Sequence, residues 1–256
     1  MKIFSMFLLL AVISGNTFAA MHKEVVEYKH GDTTLKGHVY WEDAYEGRRP
    51  GVLVFPEIWG VNDYVKLRAE MLAETGYVAF AADMYGDAKD TREIEKATAW
   101  HKGVTGDVEL WRERAEVALK EFKSHEQLDR KKMAVLGFGF GGATALQLAA
   151  TGVEIGGVIS MHGSIPEISK KDISVMSTRI LLLNGSSDKS VSSEALANLT
   201  QVMTDAAVDW EMNVYGGAKH SFSNPYADSY GIDNTEYNLE AEQRSWARIL
   251  TFFEEL

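Results

Sequence analysis

The chain has 256 residues, 46% hydrophobic and 25% charged, so a packed core is feasible and disorder is disfavoured. A formal net charge of −11 with a pI near 5.1 argues against a nucleic-acid partner, because an acidic surface repels phosphate backbones. There are no cysteines, which excludes disulfides, thiolate metal sites and a cysteine nucleophile, and no two of the seven histidines stand at the i, i+4 spacing of a helical zinc site, so no metal is expected.

The N-terminus reads as a secretory signal. Lys2 supplies the positive region, Ile3 to Ile13 an apolar stretch, and Thr17-Phe18-Ala19 a small-residue end that predicts cleavage after Ala19. The apolar run falls short of the about 20 residues needed to cross a bilayer. No later segment is apolar enough, so no membrane partner is expected after signal removal. Losing Lys2 takes the charge from −11 to −12. The mature chain, expected to be periplasmic or secreted, reads as one domain over residues 20–256, without repeats, low-complexity tracts or Pro/Ser-rich linkers.

Val25 to Trp41 reads as a β-hairpin about the turn residues His30-Gly31-Asp32. From Gly51 the texture becomes strand–helix repeats. Val52-Leu53-Val54-Phe55 is an apolar run typical of a strand buried on both faces. Tyr64 to Glu74 is predicted helical, with Gly76 ending it, and Tyr77 to Ala82 is the next strand. Thr91 to Lys102 and Val108 to Lys123 read as helices, Met133 to Leu136 as a buried strand and Gly141 to Ala150 as a helix. Ile155 to Met161, Arg179 to Leu183 and Trp210 to Tyr215 are strands; Ser192 to Ala207 and Asn238 to Glu254 are helices. This alternation predicts an α/β fold, a mostly parallel sheet with helices on both faces and an N-terminal antiparallel hairpin. The longest irregular stretch, Ser223 to Asn238, is of a length that usually shapes a site or is mobile.

Ligands of an open parallel sheet bind beyond the carboxyl ends of its strands. Those ends present Glu57, Asp188 and His220 to one face, and Gly137-Phe138-Gly139-Phe140-Gly141-Gly142 makes a sharp strand-to-helix turn of the nucleophile-elbow type. Elbow, then Asp, then His is the chain order of α/β-hydrolases.

With Phe55-Pro56-Glu57-Ile58-Trp59-Gly60, Asp83-Met84-Tyr85-Gly86, Gly185-Ser186-Ser187-Asp188 and Ala218-Lys219-His220-Ser221-Phe222, the chain resembles the dienelactone hydrolases across nearly its whole mature length. The resemblance implies an α/β-hydrolase fold, no cofactor and a small ester or lactone substrate. It implies Asp188 and His220 as triad members, Glu57 as the carboxylate near the nucleophile at rest, and the backbone N–H groups of Ile58 and Phe140 as oxyanion hole. Trp59 and Tyr85 are expected to wall the substrate pocket. The family carries cysteine where this chain has Gly139, and glycine can form no acyl intermediate. An impaired or water-dependent hydrolase is therefore expected, the alternative being a non-catalytic small-molecule binder. The chlorocatechol-pathway members have an arginine where this chain has Asp87, so a substrate carboxylate is disfavoured.

Two further patterns compete. Gly137, Gly139 and Gly142 fit a dinucleotide motif, which predicts an acid at the end of the next strand; Ser160-Met161-His162 stands there. His162 reads as a hydrogen-bonded structural residue. Asn198-Leu199-Thr200 matches a glycosylation sequon, a triplet that arises readily by chance.

Overall fold

The computed structural model describes residues 20–256; the predicted signal, residues 1–19, lies outside them. β1 (Met21–His30) and β2 (Thr33–Glu42) form an antiparallel hairpin in continuous register, closed at Gly31, where φ is +56°. It is longer than Val25–Trp41 because the first residues of β1 lie on a sheet edge, mostly exposed, and carry no apolar alternation.

Next come β3 (Arg49–Phe55), α1 (Asp63–Glu74), β4 (Val78–Ala81), α2 (Ile94–Thr105) and α3 (Val108–Phe122). β5 (Leu128–Phe138), α4 (Phe140–Ala149), β6 (Gly157–Met161) and α5 (Lys170–Ile173) follow, then β7 (Arg179–Gly185), α6 (Ser193–Asp205), β8 (Trp210–Tyr215) and α7 (Leu239–Glu254). The sheet order is β1-β2-β4-β3-β5-β6-β7-β8, parallel from β4 to β8 and antiparallel at the hairpin end. This is the predicted class, and the predicted order of elements apart from α5.

Among the boundaries that differ, those of α2 and β5 have a tertiary reason, and α5 is an element that the sequence did not predict. α2 begins at Ile94 because the Thr91 N–H is held by the Trp59 carbonyl at 3.1 Å. β5 begins at Leu128, paired with Arg49 across an irregularity in β3, and its exposed Arg130-Lys131-Lys132 hides the strand from a hydrophobicity reading. α5 is a single turn capped by the Ser169 hydroxyl, too short to leave a periodic pattern.

Strand alternation divides the core in two. Val52 and Val54 face a layer with Tyr64, Val65 and Leu72 of α1 and Ile249 and Phe252 of α7. Leu53 and Phe55 face a layer with Trp111 and Leu119 of α3, Leu146 of α4 and Met203 of α6. Burying each such side chain stabilises by roughly 1.5–3 kcal/mol, which fixes the two helix layers against the sheet. The chain leaves β3 toward β4 on one side and β5 toward β6 on the other. The crevice of the sheet therefore opens at the ends of β3 and β5, where Glu57 and Gly139 stand.

Candidate active site

Gly139 caps α4 with φ +53° and ψ −112°, backbone angles that side-chain-bearing residues adopt only at a cost of about 1–3 kcal/mol. Glycine relieves most of that cost. The corner is pinned by the Gly139 N–H to the Met161 carbonyl (3.0 Å) and by the Gly142 N–H returning to the Gly139 carbonyl (3.0 Å). Gly141 lets α4 press on the end of β3: a Cβ there would lie 2.2 Å from the Phe55 carbonyl oxygen. Two N–H groups at the corner, those of Ile58 and Phe140, donate to no protein acceptor among the described residues.

His220 and Asp188 meet over this corner. The His220 Nδ1–H donates to Asp188 Oδ2 at 2.8 Å, a tautomer assigned from the network, leaving Nε2 as the basic nitrogen. Nε2 lies 3.4 Å from where a Cβ on Gly139 would stand, and Glu57 Cγ lies 3.5 Å from the same point. Asp188 Oδ1 accepts from the Ser190 N–H (2.8 Å), the Ser190 hydroxyl and Asn234 Nδ2 (3.1 Å). The backbone of His220 is held as well, its N–H donating to the Asn234 carbonyl (3.0 Å) and its carbonyl accepting from Glu236 (3.2 Å).

The environment separates the titrations. Burial disfavours the Asp188 carboxylate, but the hydrogen bond and charge of His220 and the Ser190 donors outweigh it and hold the group well below its ordinary value. Burial likewise disfavours the His220 imidazolium; the Asp188 hydrogen bond and charge, with the charge of Glu57, outweigh it and raise that group. Glu57, 3% exposed, is raised by burial, against the pull of the Ser221 hydroxyl on Oε1, the His220 charge and Asn224 Nδ2 on Oε2 (2.6 Å). His162 is fully buried and held well below the usual imidazole range by burial and then by the charge of His220. Its Nε2 meets the Ser223 hydroxyl at 2.9 Å, a contact that suits a structural residue.

A cleft of about 190 Å³ opens above the corner, walled by Trp59, Ile94, Phe140, Ile232 and Thr235, with His220 at its base. Trp59 is stacked on Tyr230 at 4.1 Å between ring centroids. A larger groove of about 890 Å³ runs between α3, α5 and α6, away from Gly139. Tyr85, expected in the pocket wall, stands behind it, stacked on the Phe140 ring at 5.8 Å. The cause is buried Asp83, whose carboxylate accepts from the N–H groups of Tyr85, Gly86, Ala88 and Lys36 and turns the chain inward after β4. Asp87, expected to face the substrate, is paired with Lys36 at 3.6 Å on the β2 side and lies outside the cleft lining.

The structure brings Glu57, Ile58, Trp59, Gly139, Phe140, Asp188 and His220 together. It adds residues that the sequence reading did not single out. Ser190, Ser221, Asn224 and Asn234 all brace a carboxylate of the site. The one signal that pointed toward Asn224 and Asn234 was the irregular length of the segment carrying them. That segment is anchored from beneath by Arg68, which donates to the Ser223 carbonyl at 2.6 Å and pairs with Glu242 at 2.8 Å.

Comparison with known proteins shows the family and the fold. The family model described as "Dienelactone hydrolase family" matches residues 35–256. A solved structure of a dienelactone hydrolase-like promiscuous phosphotriesterase from metagenomic libraries is 38% identical, with a TM-score of 0.89, covering 93% of this chain and 99% of that one. A Bradyrhizobium sp protein described as "Probable 2-oxo-3-(5-oxofuran-2-ylidene)propanoate lactonase" is 29% identical over 200 residues, 72% of this chain and 77% of that one. The dienelactone hydrolase structure from Anabaena variabilis, 19% identical with a TM-score of 0.61 and covering 87% of this chain and 96% of that one, shares the fold. With a family model that runs from β2 to the last residue and an α/β-hydrolase sheet beneath the site, this chain belongs to the dienelactone hydrolase family.

Proposed function

We propose that this protein is an exported hydrolase of small ester or lactone carbonyls in which water, rather than a tethered side chain, attacks the substrate. The observation that carries the reading is the convergence of His220 Nε2 and Glu57 on the open face of Gly139. Water held there gives its proton to His220 Nε2 as its oxygen adds to the carbonyl carbon. Asp188 stabilises the imidazolium. The Ile58 and Phe140 N–H groups take the developing oxyanion; such a donor contributes about 2.7–4 kcal/mol. Collapse expels the alkoxide, which recovers the proton from His220. Trp59, Ile94 and Ile232 receive the apolar part of the substrate.

Lacking a nucleophilic side chain costs a triad hydrolase about a millionfold, leaving roughly 10³–10⁴ over water. Chromogenic esters and lactones, with a phosphotriester added because the 38% identical relative is described as a phosphotriesterase, are to be assayed on the wild type and Gly139→Cys. Gly139→Cys is expected to raise ester turnover by about 10³-fold or more; equal rates would remove the corner from the chemistry. Gly139 also supports a second reading, a binder without turnover, for which His220→Ala leaves residual hydrolysis unchanged. Residues 20–256 are proposed as a single mature domain, and N-terminal sequencing of protein recovered from the host should begin at Ala20.

A further inference from the structure

The groove between α3, α5 and α6, about 890 Å³, exceeds the cleft over Gly139, about 190 Å³, and the two share no wall residue among those described. Its apolar walls come from separate elements: Ile165 and Ile168 from the segment between β6 and α5, Leu199 and Val202 from α6, and Trp111 from α3. An opening of this order is of the size that takes a small molecule, not that of a packing void. One polar group in it is held in place beforehand. The Arg112 guanidinium donates through Nε to Gln147 Oε1 and through Nη2 to Asp172 Oδ2, each at 2.8 Å. Gln147, 1% exposed, is fixed in turn by donating to the Glu167 carbonyl at 2.9 Å. Nη1 of Arg112 has no protein acceptor among the described residues. A donor already braced on its other sides binds a ligand with little further ordering.

Charge narrows the ligand. The charged side chains of the lining are Arg112, Asp172 and Glu167. Arg112 is already answered by Asp172, so a ligand anion would meet two carboxylates, and a ligand cation would meet the guanidinium. A neutral molecule with an apolar body and a carbonyl to accept from Nη1 suits both the walls and the donor. The groove is also tied to Phe140. Trp111 stacks on the Phe140 ring with centroids 5.7 Å apart, and its Nε1–H donates to Thr144 Oγ1 at 2.8 Å. The Thr144 hydroxyl donates to the Phe140 carbonyl at 3.0 Å. A ligand lying against Trp111 therefore bears, through a ring contact and two hydrogen bonds, on the first residue of α4.

We propose that this groove binds a neutral, apolar carbonyl compound, and that its occupancy raises turnover in the separate cleft over Gly139 by steadying Phe140. The binding is independent of the hydrolase reading; the effect on turnover rests on it, because Phe140 matters there as an oxyanion donor. No bond is made or broken in the groove.

Binding is to be measured by calorimetry with 6-propionyl-2-(dimethylamino)naphthalene, a neutral ketone that cannot be hydrolysed, beside 2-naphthoate and 2-naphthylmethylammonium. Saturable binding of the ketone is expected, at least about tenfold tighter than that of either ion. It should be lost in Ala195→Trp and in Val202→Trp, which fill the groove from α6, and kept in His220→Ala. With saturating ketone, kcat for an aryl acetate should rise at least about fivefold, the low end of coupling between sites, in the wild type and in Gly139→Cys. Thr144→Val cuts both hydrogen bonds and should keep the binding but lose the activation; Thr144→Ser should keep both. No saturable binding, equal binding of the ions, or binding untouched by both tryptophans overturns the groove as a site. Binding without a change in kcat, or activation that survives Thr144→Val, overturns its link to Phe140. A wild type inert to esters, beside a Gly139→Cys variant that the ketone activates, sinks water attack and leaves the inference standing.

Discussion

The loop after β3 and the loop after β7 each bury a carboxylate within reach of His220, and the two carboxylates are driven in opposite directions. Asp188, 5% exposed, is held below its ordinary value, and Glu57, 3% exposed, above it. Both carboxylates are shielded from solvent, Glu57 the more deeply, and their partners differ. Asp188 accepts a direct hydrogen bond from an imidazole whose charge it stabilises, together with three further donors. Glu57 accepts from a neutral hydroxyl and a neutral amide and feels His220 only across the corner. A contacting cation offsets desolvation where neutral donors do not. One site thus contains a permanent anion that sets the imidazole and a carboxyl biased toward keeping its proton.

Breaking the Asp188 side should have the larger effect. Asp188→Asn is expected to lower ester turnover by about 10⁴-fold in the Gly139→Cys background and by less in the wild type, because the His220 tautomer and its imidazolium lose their partner while the oxyanion donors remain. The pH profile sharpens this. The wild-type hydrolysis limb should have its midpoint above the ordinary imidazole value of about 6.5, since the base form emerges only above the raised titration point. In Asp188→Asn that midpoint should fall, burial then being opposed by Glu57 alone.

Asn234→Ala is the intermediate case. It removes one donor to Asp188 Oδ1 and a carbonyl that caps the Lys189 N–H at 2.8 Å, while the backbone bond to His220 can persist. A lost hydrogen bond to a charged group, about 1.5–3 kcal/mol, corresponds to a roughly ten- to hundredfold fall in kcat. A KM change with kcat intact would show that Asn234 serves the cleft wall instead.

Glu57→Gln should be the mildest. Its amide can donate to the Ser221 oxygen and still accept from Asn224. The difference lies in stability against pH. Glu57 has a raised folded-state value, so its contribution is complete below the ordinary carboxylate value of about 4.3 and is lost as pH rises through the raised one. Asp188 is depressed, so its contribution is present above about 3.9 and is lost as pH falls toward the folded value. Melting curves should therefore show Glu57→Gln gaining on the wild type with rising pH, by about 2–4 °C for each kcal/mol relieved, and Asp188→Asn flattening the acid limb.

Period and punctuation were enough to read the layered α/β class, the order of strands and helices, and which strand ends face the crevice. A run such as Val52-Leu53-Val54-Phe55 has few stable placements other than a strand covered on both sides, and a turn such as Gly137 to Gly142 few other than a tight strand-to-helix corner. Residue type at those ends also made Glu57, Asp188 and His220 legible, because acids and imidazoles after apolar strands are chemically conspicuous. Which partners steady them was decided only in three dimensions. Asn234 reaches Asp188 across 46 residues, Asn224 reaches Glu57 across 167, and Asp83 swings Tyr85 behind Phe140 through contacts local in space but invisible in periodicity. Hydrophobic patterning encodes which face of an element is buried; the hydrogen bonds of a loop depend on where distant strands deliver it, and the fold alone sets that.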